Sequence, residues 1–171
     1  MRLLILGAGG YGQTVADVAR QSGRYGQICF LDDGKTGPDI LGPCSEYLNF
    51  ADGSTQMYPA FGNNTGRLAW LDRLAQAGIP TMPALVHGTA YVSPTAQLEE
   101  GTVVLPKAVV NTDCMVKRGC IVNCGAILDH GCMLEPGVHL GPGAIVKAEN
   151  RMAACTKVEA GQMIQNRTFP L

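Results

Sequence analysis

The sequence predicts two domains of different class, a small α/β domain on a parallel sheet over residues 1–86 and a parallel β-helix of hexapeptide repeats over residues 87–171. Three observations predict it. Short apolar runs alternate with segments of helical period in the first half. An aliphatic residue or methionine stands at every sixth position from Val92 to Ile164 in the second. The change of period falls at Tyr91.

Composition narrows the function before any motif is read. Charged residues make up 16% of the chain, below the roughly 25% of an average soluble protein, which suggests that another subunit covers part of the surface. A net charge of −1 removes the case for a basic nucleic-acid face. The opening MRLLIL imitates a signal peptide, but glycines follow at once, Asp17 and Arg20 interrupt, and no run nears the roughly 18 apolar residues of a membrane span. Seven cysteines without a C-x-x-C pair fit neither a disulfide framework nor a zinc ribbon. The expectation is a cytoplasmic chain whose cysteines are mostly small packing residues.

The first half opens with RLLILGAGGYGQTVADVARQSG, which reads as strand, glycine turn and helix, with Val15, Val18 and Ala19 at helical spacing. QICFLDD is a second strand ending in two acids, MYPAFGNNTGRLAWLDRLAQAG repeats the strand–turn–helix plan, and TMPALV adds a further strand. Alternating strands and helices imply a parallel sheet with right-handed crossovers, here of three or four strands. Gly7, Gly9 and Gly12 bring backbone amides to a helix N-terminus, where phosphate is stabilised. Asp32 and Asp33 stand about 20 residues on, where an acid meets a ribose hydroxyl. So short a domain is half of a two-lobed dinucleotide fold, and a mononucleotide carrying a sugar fits it better than NAD. Asn63 and Asn64 offer either amides to that ligand or a plain asparagine turn. Tyr11 is expected to cover the glycine loop.

In the second half Val92, Leu98, Val104, Val110, Val116, Val122, Leu128, Leu134, Leu140, Val146, Met152, Val158 and Ile164 recur every six residues. Small residues precede most of them by two positions, and glycines precede those: Gly101, Gly119, Gly125, Gly131, Gly137, Gly143 and Gly161. A fixed short repeat means stacked coils. Three hexads per coil form a triangular prism with the large side chain inside and a left-handed backbone at the corner; at about 4.8 Å per coil it stands about 20 Å tall. A heptad helix is opposed by the period and by the many glycines and prolines. His130 and His139 lie nine residues apart in ILDHGCMLEPGVHLGPG, half of an 18-residue coil, so one prism carries them on different sides and a site that uses both needs two subunits. Asn111, one coil before Asp129, is expected to stack on it. His87 is expected to pack at the join.

LILGAGGYG, FLDD, FGNN, LVHGTAYVSPTA, VVNTD and VNCGAILDH, with His139 nine residues further on, resemble the PglD/NeuD group of sugar O- and N-acyltransferases over about residues 2–146. The resemblance implies a Rossmann-like first domain, a left-handed β-helix and a homotrimer. It also implies acetyl transfer from acetyl-CoA to an amino group, less readily a hydroxyl, of a UDP-linked sugar, without a metal. It places the catalytic base on His130, with Asp129 and Asn123 beside it. The donor falls to His139 with the glycines Gly141 and Gly143, and the sugar nucleotide to Gly7, Gly9, Gly12, Asp32, Asp33, Asn63 and Asn64. After Val146 most corner glycines disappear, and the chain ends one or two coils before the resemblance would have it end, so a weakened grip on the donor is expected. Two other readings remain: a sugar-nucleotide-binding protein that has lost the donor groove, and a γ-class carbonic anhydrase, for which His87, His130 and His139 are spaced 43 and 9 apart.

Overall fold

The computed structural model describes residues 1–170 and divides into two compact units, Met1–Met82 and the chain from Pro83 onward.

In the first unit β1 (Arg2–Leu6) lies between β2 (Gln27–Leu31) and β3 (Thr55–Pro59), all parallel. Leu3, Leu4, Ile5 and Leu6 are fully buried, as expected of a central strand covered on both faces. Helix α1 (Gly10–Ser22) turns Val15, Ala16, Val18 and Ala19 inward and stops at Gly23, whose φ of 66° belongs to the left-handed region. A 3-10 helix over Cys44–Phe50 connects β2 to β3. Helix α2 (Asn64–Gln76) starts at Asn63, whose side chain accepts the Gly66 amide at 2.7 Å. Tyr47 and Trp70 meet edge to face, 5.4 Å between ring centres, against the core of Leu4, Leu31, Met57 and Leu74.

TMPALV is not a strand of this sheet. Thr81 makes one bridge to Met57, whereas Leu85–Val86 pairs with Val103–Val104. The sheet therefore has three strands, and the β-helix starts one hexad before Val92, at Val86, which keeps the sixfold spacing.

The β-helix consists of two-residue strands repeating every six residues from Leu85–Val86 to Met163–Ile164. They stack on three faces. The first face carries the strands at 85, 103, 121, 139 and 157, the second those at 91, 109, 127, 145 and 163, and the third those at 97, 115, 133 and 151. Each strand pairs in parallel with the one 18 residues later, for example Ile121 with His139 and Ile127 with Ile145. The second residue of each strand points inward, and Val104, Val110, Val116, Val122, Leu128, Leu134, Leu140 and Val146 are fully buried. Corners come every six residues from 101 to 167, each with φ between 51° and 73°. Glycine fills seven of them; Lys107, Asp113, Glu149, Cys155 and Arg167 fill the rest. The coil geometry thus continues beyond Val146, where Gly161 is the one glycine left among the corners.

Candidate active site

In the first unit the glycine turn is set by close packing. A Cβ on Gly12 would lie 2.0 Å from the Gly7 carbonyl oxygen, and Gly7 has a φ of 99°. Gly9 has open space around it and starts α1 without a side-chain cap, so no capping side chain takes the first-turn amides. Asp32 and Asp33 lie just beyond β2. Asp32 accepts the amides of Ala8 (2.7 Å), Gly34 (3.0 Å) and Lys35 (2.8 Å), and the Lys35 ammonium donates to the Ala8 carbonyl at 2.8 Å. The bonds from Ala8 and Gly34 hold the Asp32 carboxyl below its ordinary value. Asp33 accepts the Cys44 amide at 2.7 Å. A cavity of about 390 Å³ opens beside them, with Asp32, Asp33, Lys35, Thr36 and Leu41 in its wall. The asparagine side chains are committed locally: Asn63 caps α2, and Asn64 accepts from Arg67 Nη2 at 2.9 Å. Tyr11 bonds to Tyr58 through the two hydroxyls at 2.6 Å, and burial beside Tyr58 pushes its phenol well above its ordinary value.

On the β-helix the two histidines occupy different sides of the prism. His130 is exposed at the corner after the second face; His139 is half-buried on the first face. Asn111 stacks on Asp129 across one coil, Nδ2 donating to Oδ1 at 3.2 Å, and the same oxygen accepts the His130 amide at 2.8 Å. Asp129 therefore holds the backbone of His130 rather than its ring, as the alternation of neighbouring side chains requires. Asn123 lies with His139, its Nδ2 3.1 Å from Nε2 of the ring. Beside that pair run Gly125, Gly143 and Gly161, one per coil, each with nothing within 4 Å of where a Cβ would sit. Gly141 has a structural reason: a Cβ there would lie 2.8 Å from the Ala160 nitrogen. His87 bonds to Thr89 through Nδ1 at 2.9 Å, apart from the other two histidines. Among the described residues, no three His, Cys, Asp or Glu side chains converge as metal ligands.

Residues 2–74 match the model of the PglD N-terminal domain. The whole chain superposes on the acetyltransferase domain of PglB from Neisseria gonorrhoeae, solved with acetyl coenzyme A, at 34% identity and a TM-score of 0.93, covering 97% of this chain and 82% of that one. The chain belongs to the PglD-like sugar acetyltransferase family. A variant of GDP-perosamine N-acetyltransferase from Caulobacter crescentus, solved with CoA and GDP-perosamine, matches at 25% identity and a TM-score of 0.80 over 97% of this chain and 89% of its own. WeeI from Acinetobacter baumannii shares the fold at 19% identity and a TM-score of 0.85, over 96% and 81% of the two chains. This PglD-like chain thus consists of a Rossmann-like domain followed in sequence by a left-handed β-helix.

Two residues beside His130 escaped the sequence reading of this PglD-like chain. Glu149 and Arg167 form an ion pair and, with His130, Ala148 and Asn166, line a cavity of about 220 Å³. The signal was present in the spacing, since Glu149 stands 18 residues after Gly131 and Arg167 another 18 on.

Proposed function

We propose that this chain moves the acetyl group of acetyl-CoA onto an amino group of a UDP-linked sugar, with His130 as the base. The exposed imidazole of His130 at a corner whose backbone is held by Asp129 and Asn111 is the observation that carries this reading. Acetyl-CoA supplies an acyl carbon activated as a thioester. An imidazole accepts a proton readily near neutral pH, so His130 takes the proton of the attacking nitrogen and passes it to the departing sulfur. Asp129 and Asn111 keep its main chain in place. Asn123 and His139 face the donor, and the bare strip of Gly125, Gly143 and Gly161 gives a chain such as pantetheine close access to the backbone.

In the first domain, the cavity beside Asp32, Asp33 and Lys35 receives the nucleotide, and the open amides of α1 after Gly9 receive its diphosphate. The assembly in this reading is a homotrimer. Its support is the second face of the prism, where the outward residues Tyr91, Val109, Ile127, Ile145 and Met163 are all apolar and none is buried. That face lies between the corner of His130 and the corner of Asn123 and Gly143. Turned toward a threefold axis, it brings one corner of each protomer beside the other corner of its neighbour, so the His130 of one serves with the His139 of the next. A cytoplasmic setting belongs to the same reading, consistent with seven free thiols.

The test is release of CoA thiol from acetyl-CoA in the presence of UDP- and GDP-linked amino hexoses. His130→Ala is expected to lower turnover by about 10²–10⁴ while the sugar nucleotide still raises the melting temperature by mass action. A variant that keeps more than about a third of wild-type turnover removes His130 from the role of base.

A further inference from the structure

The hexad repeat places glycine at most corners because the backbone there is left-handed, a conformation that costs a residue with a side chain. Glu149 (φ 58°) and Arg167 (φ 51°) occupy such corners one coil apart, and they are paired with each other. Both line the 220 Å³ cavity that His130 also lines. The Glu149 amide donates to the His130 carbonyl at 3.2 Å, which sets the two residues side by side in neighbouring coils. Above it Gly131 has no side chain, and a Cβ there would touch Glu149 Cγ at 3.6 Å, so the carboxylate keeps its room beside that corner. Arg167 binds one oxygen, Oε2, through Nε. The other oxygen, Oε1, takes no hydrogen bond from any described residue. The Arg167 hydrogen bond and charge, with His130 nearby, keep the Glu149 carboxyl below its ordinary value.

We propose that Glu149 is the residue that reads the acceptor amine, with Arg167 as the cation that fixes the carboxylate in place. This rests on His130 as the base of the same cavity. A sugar amine arrives in part as an ammonium, and its hydrogen bond to a fixed carboxylate oxygen carries charge on both partners, whereas a sugar hydroxyl offers the same oxygen only an uncharged donor. One proton of the ammonium leaves to solvent. The free amine then forms the C–N bond to the acetyl carbon as the C–S bond breaks, and its second proton passes through His130 to the thiolate. The products are the amide, the thiol and one proton. Arg167, already engaged with Oε2, orients the acid so that Oε1 is the oxygen offered.

The experiment uses the amino-sugar nucleotide the wild type turns over best among UDP- and GDP-linked amino hexoses, with its hydroxyl counterpart as competing ligand. Glu149→Gln is expected to raise KM for the amino acceptor about tenfold or more. The inhibition constant of the hydroxyl counterpart and KM for acetyl-CoA are expected to stay within about twofold. Glu149→Gly, which restores the residue the corner conformation favours, is expected to fold and to show the same loss. Arg167→Gln is expected to show part of it. An unchanged preference for amine over hydroxyl in both Glu149 variants would overturn the proposal, as would parallel loss of both acceptors and the donor. So would a wild type that acetylates no amino-sugar nucleotide. His130→Ala assayed alongside separates the two readings: if it is inactive while the Glu149 variants keep their selectivity, the base stands and only the amine reader falls.

Discussion

The carboxylate of Asp32 takes backbone amides from Ala8, Gly34 and Lys35, so one side chain ties the glycine turn to the loop after β2. Those bonds favour its charged form, and its folded pKa lies below the ordinary 3.8. A group depressed on folding contributes stability that is complete above its ordinary pKa and is lost as pH falls through its folded value. Asp32→Asn is therefore expected to melt below wild type at neutral pH, with the gap closing once the pH drops under the ordinary value. Melting curves across that range check it, and a gap that persists in acid would mean the loss is one of shape and not of charge. Gly12 answers to a different constraint. With the Gly7 oxygen 2.0 Å from its would-be Cβ, Gly12→Ala must push the helix off the strand.

Within the β-helix the unit of stability is a single hexad. Its inward aliphatic side chain fills one face, and from Thr102 to Asn150 the residue two before it is buried as well. Thr102, Cys114, Cys120 and Cys132 use that place to donate to the carbonyls of Lys117, Asp129, Glu135 and Lys147, each 15 residues on. Leu128→Ala, in the coil that ends at His130, is expected to cost about 2–5 kcal/mol, read as a lower urea midpoint at constant slope. Burial also raises the thiols of Cys114, to about 11, and of Cys132. Iodoacetamide is accordingly expected to alkylate the exposed Cys124 and to leave Cys114 and Cys132 intact; labelling either of the latter in the native protein, detected by mass spectrometry, would contradict the packing.

The large residue of each hexad was legible in the sequence because a core position tolerates only an apolar side chain, and the stacking of Asn111 on Asp129 followed from the 18-residue coil. Val86 obeys the same spacing but was read with TMPALV as part of the α/β sheet, since a two-residue strand has no pattern of its own. Glu149 and Arg167 were missed for the opposite reason. Their want of glycine looked like decay of the repeat, when the corners had kept their backbone and changed only their side chains.

At the scale of the whole molecule the second face matters most. Tyr91, Ile127 and Met163 are 54%, 37% and 48% exposed, and with Val109 and Ile145 they form a continuous apolar strip of the sort that marks an association surface. Light scattering is expected to give three times the mass of the chain. Ile127→Asp, in the middle of the strip, is expected to yield a folded monomer, judged by circular dichroism, with little transferase activity. A monomeric wild type that turns over substrate would sink the shared site.

The repeat also separates two kinds of insertion. Eighteen extra residues in the hexad pattern would lengthen the prism by one coil and return every later side chain to its own face. Six extra residues placed between His130 and His139 would suit the core equally well, since each hexad supplies one inward residue. They would turn everything downstream by one face, carrying His139 away from Asn123 and Arg167 away from His130. Such a variant would fold with its core intact and its chemistry scrambled. An insertion therefore keeps every later side chain on its own face only in whole coils, and keeps the stacked pairs only when it falls outside the span from Asn111 to Arg167.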